Sequence, residues 1–451
     1  MLRGRRMGST LLALAFAAMC FLAGGYYEST YSLLAAAVWL GVAIAGSLSP
    51  LRAPSLAFWA LAAFAAWTGL SALWGPAGPA LRVAPLAALY AGVLLATEQV
   101  DRRLLLRLTW GVCVLVAVVA LATAALGLAP DAAGPESSRL AWPVGYANGL
   151  GLVVATGLLL SFLLPRRAAL GGGALCGAAL ALTFSRTAIL ACLAALVVLA
   201  ALRGRIPRGA AVAGALGLAV LASLLAQPLA ARFAAPAPDE RDARRLLDVS
   251  GHGRADLWRS AWEQGLDAPF AGGGAGTWAR GYVEETGRLA APANAHSLPL
   301  ETFAELGLVG VALLAAFVVL VGRGARREPV AAAVVAAWVV QAGADWLWQI
   351  PAATVPMLFA AAALAPRRDP CSERGGLLLA FGALALGGAC ALHGVGAALL
   401  ESGNGAGAGR LLPWDARPAL VQGDSDEACR IDPGELAILR TDPPTEGCHR
   451  P

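Results

Sequence analysis

Long apolar runs, separated by short polar connections, recur along most of the chain. A helix needs about 20 apolar residues to cross a bilayer, and thirteen runs approach that length. Their approximate limits are 10–24, 31–48, 54–74, 79–96, 104–128, 144–164, 168–184, 187–202, 209–229, 297–321, 329–345, 350–365 and 375–400. The pattern predicts an all-α polytopic membrane protein with about 12–13 transmembrane helices.

The arginines indicate how these helices are oriented. With the N-terminus inside the cell, the inner connections hold 18 arginines, and the short outer ones hold only Arg82, Arg139 and Arg186. Cytoplasmic loops carry such an excess of basic residues. The first run is expected to be a retained helix rather than a cleaved signal, because many further spans follow it. The expected location is therefore the cytoplasmic (inner) membrane.

The same threading divides the chain into four regions. Residues 1–229 hold the first nine predicted helices, and residues 297–400 hold the last four. Between them, residues 230–296 form one large extracytoplasmic loop, and residues 401–451 form a polar tail that is also outside. The predicted tail is too short for a substantial core.

Composition supports a membrane protein and argues against a nucleic-acid-binding one. Of the 451 residues, 58% are hydrophobic and only 14% are charged, whereas soluble domains carry roughly 25% charged residues. All 34 basic residues are arginine, and the net charge is +5. This charge follows the positive-inside pattern and gives no reason to expect a nucleic-acid partner.

The eight cysteines show no C-x-x-C pair, so the usual spacing of zinc sites and thiol-redox centres is absent. Most of them fall in apolar runs, where cysteine packs as a small hydrophobic residue. Cys429 and Cys448 both lie in the tail, on the oxidising side. They could form a disulfide or remain two thiols.

The loop is predicted to form two helices joined by a turn. From residue 253 to 265 the apolar side chains share one face, as in an amphipathic helix on the membrane surface or on top of the bundle; they are Leu257, Trp258, Ala261, Trp262 and Leu266. The run GGGAG (272–276) lacks the Lys-Ser/Thr of a nucleotide-binding loop, so a tight turn is favoured. A second short helix through Glu285 follows.

His296 is the first candidate for chemistry. It precedes Ser297, a good cap for the tenth predicted helix, and so lies at the outer interface beside a helix N-terminus. A neutral imidazole there could accept a proton. The alternative is an interfacial histidine that only makes a hydrogen bond.

Glu301 and Glu305 are four residues apart and share a face of that helix. Ionisable groups near the membrane core are costly and usually point inward toward partners. The two carboxylates could hold an arginine, such as Arg186 or Arg254, in a structural ion pair, or they could take part in catalysis.

Three arginines, Arg139, Arg186 and Arg254, lie on the outer side. Guanidinium groups match the oxygens of phosphate, so these residues could converge on a phosphate-containing substrate. For Arg139 the alternative is anchoring to lipid headgroups. Asn148, inside the sixth run, could bind a sugar, although a role in helix packing is favoured. No outer acidic pair is arranged like a metal site.

The motifs GYANGLG, FSRTA, GRADLW, GGGAGTW and AHSLPLETFAELGLVG occur in this order around the large loop. Together they resemble the O-antigen ligase superfamily, which includes O-antigen polymerases and protein O-oligosaccharyltransferases. The resemblance covers roughly residues 139–321 and implies a GT-C-like helical bundle. Its members commonly have twelve spans with both ends inside.

The resemblance implies transfer of a glycan from an undecaprenyl-diphosphate carrier to an acceptor hydroxyl, with inversion and with neither metal nor other cofactor. By motif position, His296 would be the base, and Arg186 and Arg254 would bind the diphosphate. A ligase is the leading hypothesis, and a polymerase of the same superfamily is close behind it.

Two other classes of function remain open. A transporter of lipid-linked glycans would need charged residues along a path across the bilayer, whereas the unusual charges here gather at the outer end. A catalytically inactive relative could instead scaffold an envelope complex. The acceptor could be a lipid, a glycan or a protein.

Overall fold

The structure is a computed structural model that describes residues 2–128, 139–204, 254–286 and 293–432. Within these ranges every regular element is a helix, and the one β-bridge, between Arg52 and Pro370, is isolated. The first eight α-helices are α1 (Leu2–Phe21), α2 (Glu28–Leu48), α3 (Leu56–Leu70), α4 (Ala77–Gln99), α5 (Arg102–Ala125), α6 (Ala147–Leu160), α7 (Arg166–Leu182) and α8 (Arg186–Leu202).

Nine further helices complete the described part of the chain. Two belong to the large loop, α9 (Arg254–Asp267) and α10 (Trp278–Thr286). The long apolar helices that follow are α11 (Leu298–Gly322), α12 (Pro329–Ala342), α13 (Pro351–Leu364) and α14 (Glu373–Glu401). Three short helices form the tail: α15 (Gly405–Leu411), α16 (Arg417–Val421) and α17 (Ser425–Ile431).

Each predicted apolar run that the structure describes overlaps a helix. Most ends differ by a few residues, but α1 begins at Leu2, well before the predicted start of the first run at residue 10. The ninth run, 209–229, lies outside the described residues. Within the described ranges, six helices are long and apolar enough to cross a membrane: α2, α3 with its 3₁₀ extension to Leu73, α4, α5, α11 and α14. The chain is therefore an all-α, multi-pass membrane protein.

Side-chain caps fix where several helices begin. The hydroxyl of Ser55 accepts a hydrogen bond from the backbone N–H of Phe58, and Asp101 accepts one from Leu104. Ser185 caps α8 by accepting from Ala188. Each cap satisfies a donor that the first helical turn leaves without a partner inside the helix.

The helices divide into two compact units. The first comprises Met1–Tyr26, Ala96–Ser250 and Val319–Arg367. At its centre α6 packs against α5, α7, α8, α12 and α13, and nearly all of its side chains are buried. Glycine allows these close contacts: a Cβ added at Gly151 would lie 2.7 Å from that of Ala188. Small residues let apolar helices approach closely in a membrane.

The second unit comprises Tyr27–Leu95, Gly251–Val318 and Arg368–Pro451. Its largest helix contact joins α2 to α14 along their lengths. Two glycines of α14 face leucines of α2 closely, with Gly387 against Leu40 and Gly394 against Leu33. The loop helices α9 and α10 and the tail helices belong to the same unit.

The tail is anchored within this unit by buried charges. Arg417 donates hydrogen bonds to both Asp415 and Glu28, and Glu28 also contacts His393 at 3.2 Å. Further along, Arg280 of α10 donates to Asp432 at 2.9 Å. Cys429 is disulfide-bonded. The predicted partner, Cys448, lies outside the described residues, so the pairing stays a prediction. The described part of the tail therefore contacts the loop helix α10 through Asp432.

Candidate functional site

The loop helices and the start of α11 share a small hydrophobic core. Its buried members come from four segments and are Leu257, Ala261, Trp278, Tyr282, Ala295 and Ala304. Trp278 and Tyr282 stack with their ring centroids 5.3 Å apart. The predicted apolar face of α9 is only partly used by this core, since Trp262 and Leu266 remain about half exposed. Packing therefore positions the segment around His296.

Helix α11 is interrupted at Gly307, whose backbone angles are φ 63° and ψ −164°. The N–H groups of Leu308 and Val309 donate to the carbonyls of Pro269 and Phe270 in the loop, at 2.8 and 3.2 Å. An uninterrupted helix would direct them to Ala304 and Glu305 instead.

The glycine-rich turn replaces the donors that the interruption removes. Gly273 N–H donates to the carbonyl of Ala304 at 2.9 Å, and Gly274 N–H donates to that of Glu305 at 2.8 Å. The indole N–H of Trp67 reaches the carbonyl of Leu306 at 3.1 Å. The polar backbone at the break is therefore satisfied by protein, as a non-helical backbone in a membrane requires.

Two glycines make this contact possible. An added Cβ at Gly272 would lie 2.2 Å from the backbone of Glu305, and one at Gly307 would lie 2.4 Å from that of Phe270. Both residues also have positive φ angles, of 70° and 63°. The run GGGAG is thus a tight turn, as predicted, but its specific role is to dock on the interrupted helix.

Glu301 and Glu305 hold the backbone of the loop. Glu301 accepts a hydrogen bond from Ala295 N–H at 2.9 Å, and Glu305 accepts one from Trp278 N–H at 3.2 Å. Both carboxylates are buried. The bond to Trp278 places the Glu305 carboxyl group at the start of α10. Sequence reasoning predicted their shared face and inward direction but missed these backbone partners.

His296 lies in a constrained position between two buried residues, Ala295 and Ser297. Its φ angle is 54°, in the left-handed region that residues other than glycine rarely adopt. Such a conformation costs of order 1–3 kcal/mol and persists only where surrounding contacts impose it. The bond from Ala295 to Glu301 is one such contact. The residue as a whole is partly exposed, while the imidazole Nδ1 is buried.

Arg254 is the first residue of α9 and is partly buried. It belongs to the second unit together with His296, Glu301 and Glu305. Two of the three candidate arginines, Arg139 and Arg186, belong to the first unit.

Arg186 begins α8, directly after a strained turn. Phe184 has a positive φ of 47°, and Ser185 caps the helix. Arg186 is partly exposed beside an N-terminus whose dipole favours anions. The local geometry therefore combines a guanidinium group with a helix end that suits phosphate.

Arg139 ties this turn to the start of α6. Its Nε donates to the carbonyl of Thr183 at 3.0 Å, and its Nη2 donates to Asn148 Oδ1 at 2.7 Å. Asn148 Nδ2 in turn donates to the Tyr146 hydroxyl at 2.9 Å and to Asp345. Tyr146 donates to Asp345 at 3.1 Å.

This polar network was missed from the sequence except for two of its members, Arg139 and Asn148. Asp345 is completely buried and Asn148 almost so. Gln341 adds a hydrogen bond to the backbone carbonyl of Asn148 at 3.0 Å. The signal that could have revealed the network is a carboxylate, Asp345, at the end of an apolar run. Asn148 has the packing role that the sequence favoured.

The described ranges contain no group of three or more His, Cys, Asp or Glu side chains that could hold a metal ion. The groups available for chemistry there are an imidazole, guanidinium groups, carboxylates that hold backbone, and helix N-termini.

The fold and these groups define a multi-pass membrane protein with a large helical loop whose backbone is fixed around one histidine. A sequence profile of the family described as O-antigen ligase matches residues 171–315, from within α7 to within α11. This match supports the resemblance to the O-antigen ligase and polymerase superfamily that the motifs indicated. The matched segment includes Arg186, Arg254, His296, Glu301 and Glu305, whereas Arg139 precedes it. No curated protein matches the chain significantly.

Proposed function

We propose that the protein is a glycan ligase that transfers an oligosaccharide or polysaccharide from an undecaprenyl-diphosphate carrier to an acceptor hydroxyl. The reaction takes place at the outer face of the cytoplasmic membrane. The family match supports ligase-like or polymerase-like activity, and the donor, the direction of transfer and the residue roles are part of the proposal.

His296 is the proposed general base, and its imposed backbone conformation is the observation that carries this assignment. His296 has a left-handed backbone and lies between two buried residues, so the surrounding contacts fix the backbone that carries the imidazole. Glu301 acts as a positioning residue, because it fixes the backbone directly before His296.

The proposed step is a single displacement at the anomeric carbon. His296 takes the proton of the acceptor hydroxyl. At the same time, the oxygen of that hydroxyl forms the new bond to the anomeric carbon. The bond from the same carbon to the diphosphate oxygen breaks, and undecaprenyl diphosphate leaves with the electron pair. Attack from the side opposite the leaving group inverts the configuration.

Arg186 and Arg254 are the proposed diphosphate ligands. Charge develops on the leaving oxygen during the displacement, and fixed cationic donors stabilise it more than they stabilise the ground state. The N-terminus of α8 beside Arg186 supports this role. Arg139 is proposed to position the turn that carries Arg186, because its Nε and Nη2 already bind within the protein.

We propose the orientation of the chain in the membrane from the placement of the arginines and from the disulfide-bonded cysteine of the tail. Disulfides persist in oxidising compartments, so the bonded Cys429 supports a tail outside the cytoplasm. The N-terminus would then be inside, and the large loop would share the outer side with the tail.

Purified protein in nanodiscs, given a synthetic undecaprenyl-diphosphate glycan and an acceptor glycan, tests the proposal. Transfer should proceed in EDTA and give a product of inverted configuration. His296→Ala should lower turnover by about 10²–10⁴-fold, the usual contribution of a general base. Arg186→Ala should also lose turnover, whereas Arg203→Ala, at the opposite end of the same helix, should not. Wild-type turnover in His296→Ala would remove this residue as the base.

The product distinguishes a ligase from a polymerase. A ligase joins one glycan block to a different acceptor and then stops, whereas a polymerase joins donor blocks to each other and yields a ladder of lengths. Mass spectrometry of the reaction with donor alone separates the two, because only a polymerase extends the donor without a second acceptor.

A further inference from the structure

A polar cavity opens between the loop helices α9 and α10, apart from the residues assigned to the reaction. Its volume is about 270 Å³. Its wall combines two carboxylates, a guanidinium group, two hydroxyls and an aromatic ring, from Asp256, Arg259, Ser260, Tyr282, Glu285 and Thr286.

We propose that this cavity is a sugar-binding subsite that holds a neutral or amino sugar of the donor glycan, removed from the bond that reacts. This inference rests on the proposed function for the identity of the donor. The subsite would strengthen the binding of long donor glycans.

The side chains of the cavity suit a polyhydroxyl ligand. Carboxylates such as Asp256 and Glu285 accept hydrogen bonds from sugar hydroxyls, and Arg259 can donate to ring or hydroxyl oxygens. Glu285 is held in place, because Ser260 donates to its Oε2 at 2.6 Å and Gln264 donates to Ser260 at 3.0 Å. Ser260 is almost fully buried, so one wall of the cavity is fixed before a ligand binds.

The size and charge of the cavity favour a sugar over the other common ligands. The volume is slightly below the roughly 300–1,000 Å³ of pockets for drug-sized molecules, which suits one sugar residue rather than an extended peptide. Two carboxylates against one guanidinium group disfavour phosphate and other anions. The lining has only two candidate metal ligands, Asp256 and Glu285, fewer than a protein cation site normally uses.

The placement of the cavity links it to the proposed donor site without overlap. Arg254 begins the same helix. Successive residues of an α-helix are 100° apart around its axis, so Asp256, Arg259 and Ser260 lie roughly 140–240° around the axis from Arg254, on the other side of the helix. These residues lie about 3–9 Å further along the helix axis. Tyr282 belongs to the small core that also buries Ala295, the neighbour of His296. The same hydrophobic core therefore supports both the subsite and the segment that carries the proposed base.

Direct binding is tested without catalysis by saturation-transfer NMR on the full-length protein in detergent. N-acetylglucosamine and galactose should give saturation transfer, and glucuronic acid should give less, because its charge opposes the two carboxylates. Asp256→Ala and Glu285→Ala should each weaken binding about tenfold, as expected for a lost hydrogen bond to a charged group. Glu284→Ala is the matched control, since this exposed carboxylate of α10 pairs with Arg280 outside the cavity.

Kinetics with donors of two lengths then place the subsite on the reaction path. With a donor of several repeat units, Asp256→Ala should lower kcat/KM about tenfold, and with a single-repeat donor the change should stay within twofold. An equal loss of kcat/KM with both donors would overturn the proposed subsite. Unchanged sugar binding in both Asp256→Ala and Glu285→Ala would overturn it as well. If the wild type transfers nothing, the proposed function fails, while the NMR result still decides whether the cavity binds sugars.

Discussion

Replacing Gly307 by alanine should detach the glycine-rich turn from α11. The φ and ψ angles of Gly307, 63° and −164°, lie in a region that is essentially restricted to glycine. Holding alanine there costs about 1–3 kcal/mol. The new Cβ would also lie 2.4 Å from the backbone of Phe270, and overpacking of this kind typically adds about 1–3 kcal/mol. The two effects together give about 2–6 kcal/mol.

The chain has one way to relieve this strain, which is to close α11 into a continuous helix. Alanine favours that outcome by roughly 1 kcal/mol over glycine. A continuous helix would remove the bonds from Leu308 and Val309 to the loop and leave Gly273 and Gly274 without their carbonyl acceptors. We therefore expect the loop to loosen while the membrane helices remain folded.

Thermal unfolding and limited proteolysis of the purified protein measure this effect. Gly307→Ala should lower the melting temperature and expose the loop between residues 254 and 286 to protease, and it should reduce transfer. Gly322→Ala, at the end of the same helix with no other atom near the added methyl group, should do neither. An unchanged melting temperature and protease pattern in Gly307→Ala would refute the argument that the break is required.

Three further predictions concern the tail. Arg280→Ala should destabilise the second unit by about 2–4 kcal/mol in thermal unfolding, because the buried Asp432 loses its cation; Arg430→Ala, on an exposed pair, should change nothing. Burial alone would raise the pKa of Asp415, but the bonds and charge of Arg417 outweigh it and lower that pKa. This stabilisation is fully present when the pH is above the ordinary carboxyl pKa of about 4. It is lost as the pH falls through the lower pKa that Asp415 has in the folded protein. A melting-temperature profile in Asp415→Asn should therefore lack the acid-dependent loss seen in the wild type. Reduction of the disulfide should lower the free energy of unfolding by about 2–4 kcal/mol. A reductant that lowers the melting temperature of Cys429→Ser as much as that of the wild type would contradict this.

Sequence patterns predicted the helices well because membrane spans are encoded locally. An apolar run of sufficient length specifies a span whatever it packs against, so the described helices lie close to the predicted runs. The amphipathic helix was also found, and Trp262 and Leu266 of its apolar face are not covered by the protein. Hydrophobic periodicity identifies a face but does not say which part of it other segments will cover.

The candidate site was only partly predictable, because its supports are long-range. The left-handed backbone of His296 and the bond from Ala295 to Glu301 have no local signature. A glycine within an apolar helix is common in membranes, so nothing marked Gly307 as the point where α11 is interrupted. Asp345 was missed because its partners, Asn148 and Tyr146, lie almost two hundred residues away.

In the proposed orientation, the interruption of α11 would also set the depth at which the loop lies. Gly322 is followed by the arginines expected on the inner side, and a hydrocarbon layer of about 30 Å accommodates roughly twenty helical residues. Counted back from Gly322, that layer ends near Thr302, so the docked glycines lie a few ångströms below the outer boundary. His296, just before the start of α11, would then lie near the outer boundary of that layer. A carrier anchored in the outer leaflet could present its diphosphate there without leaving the bilayer.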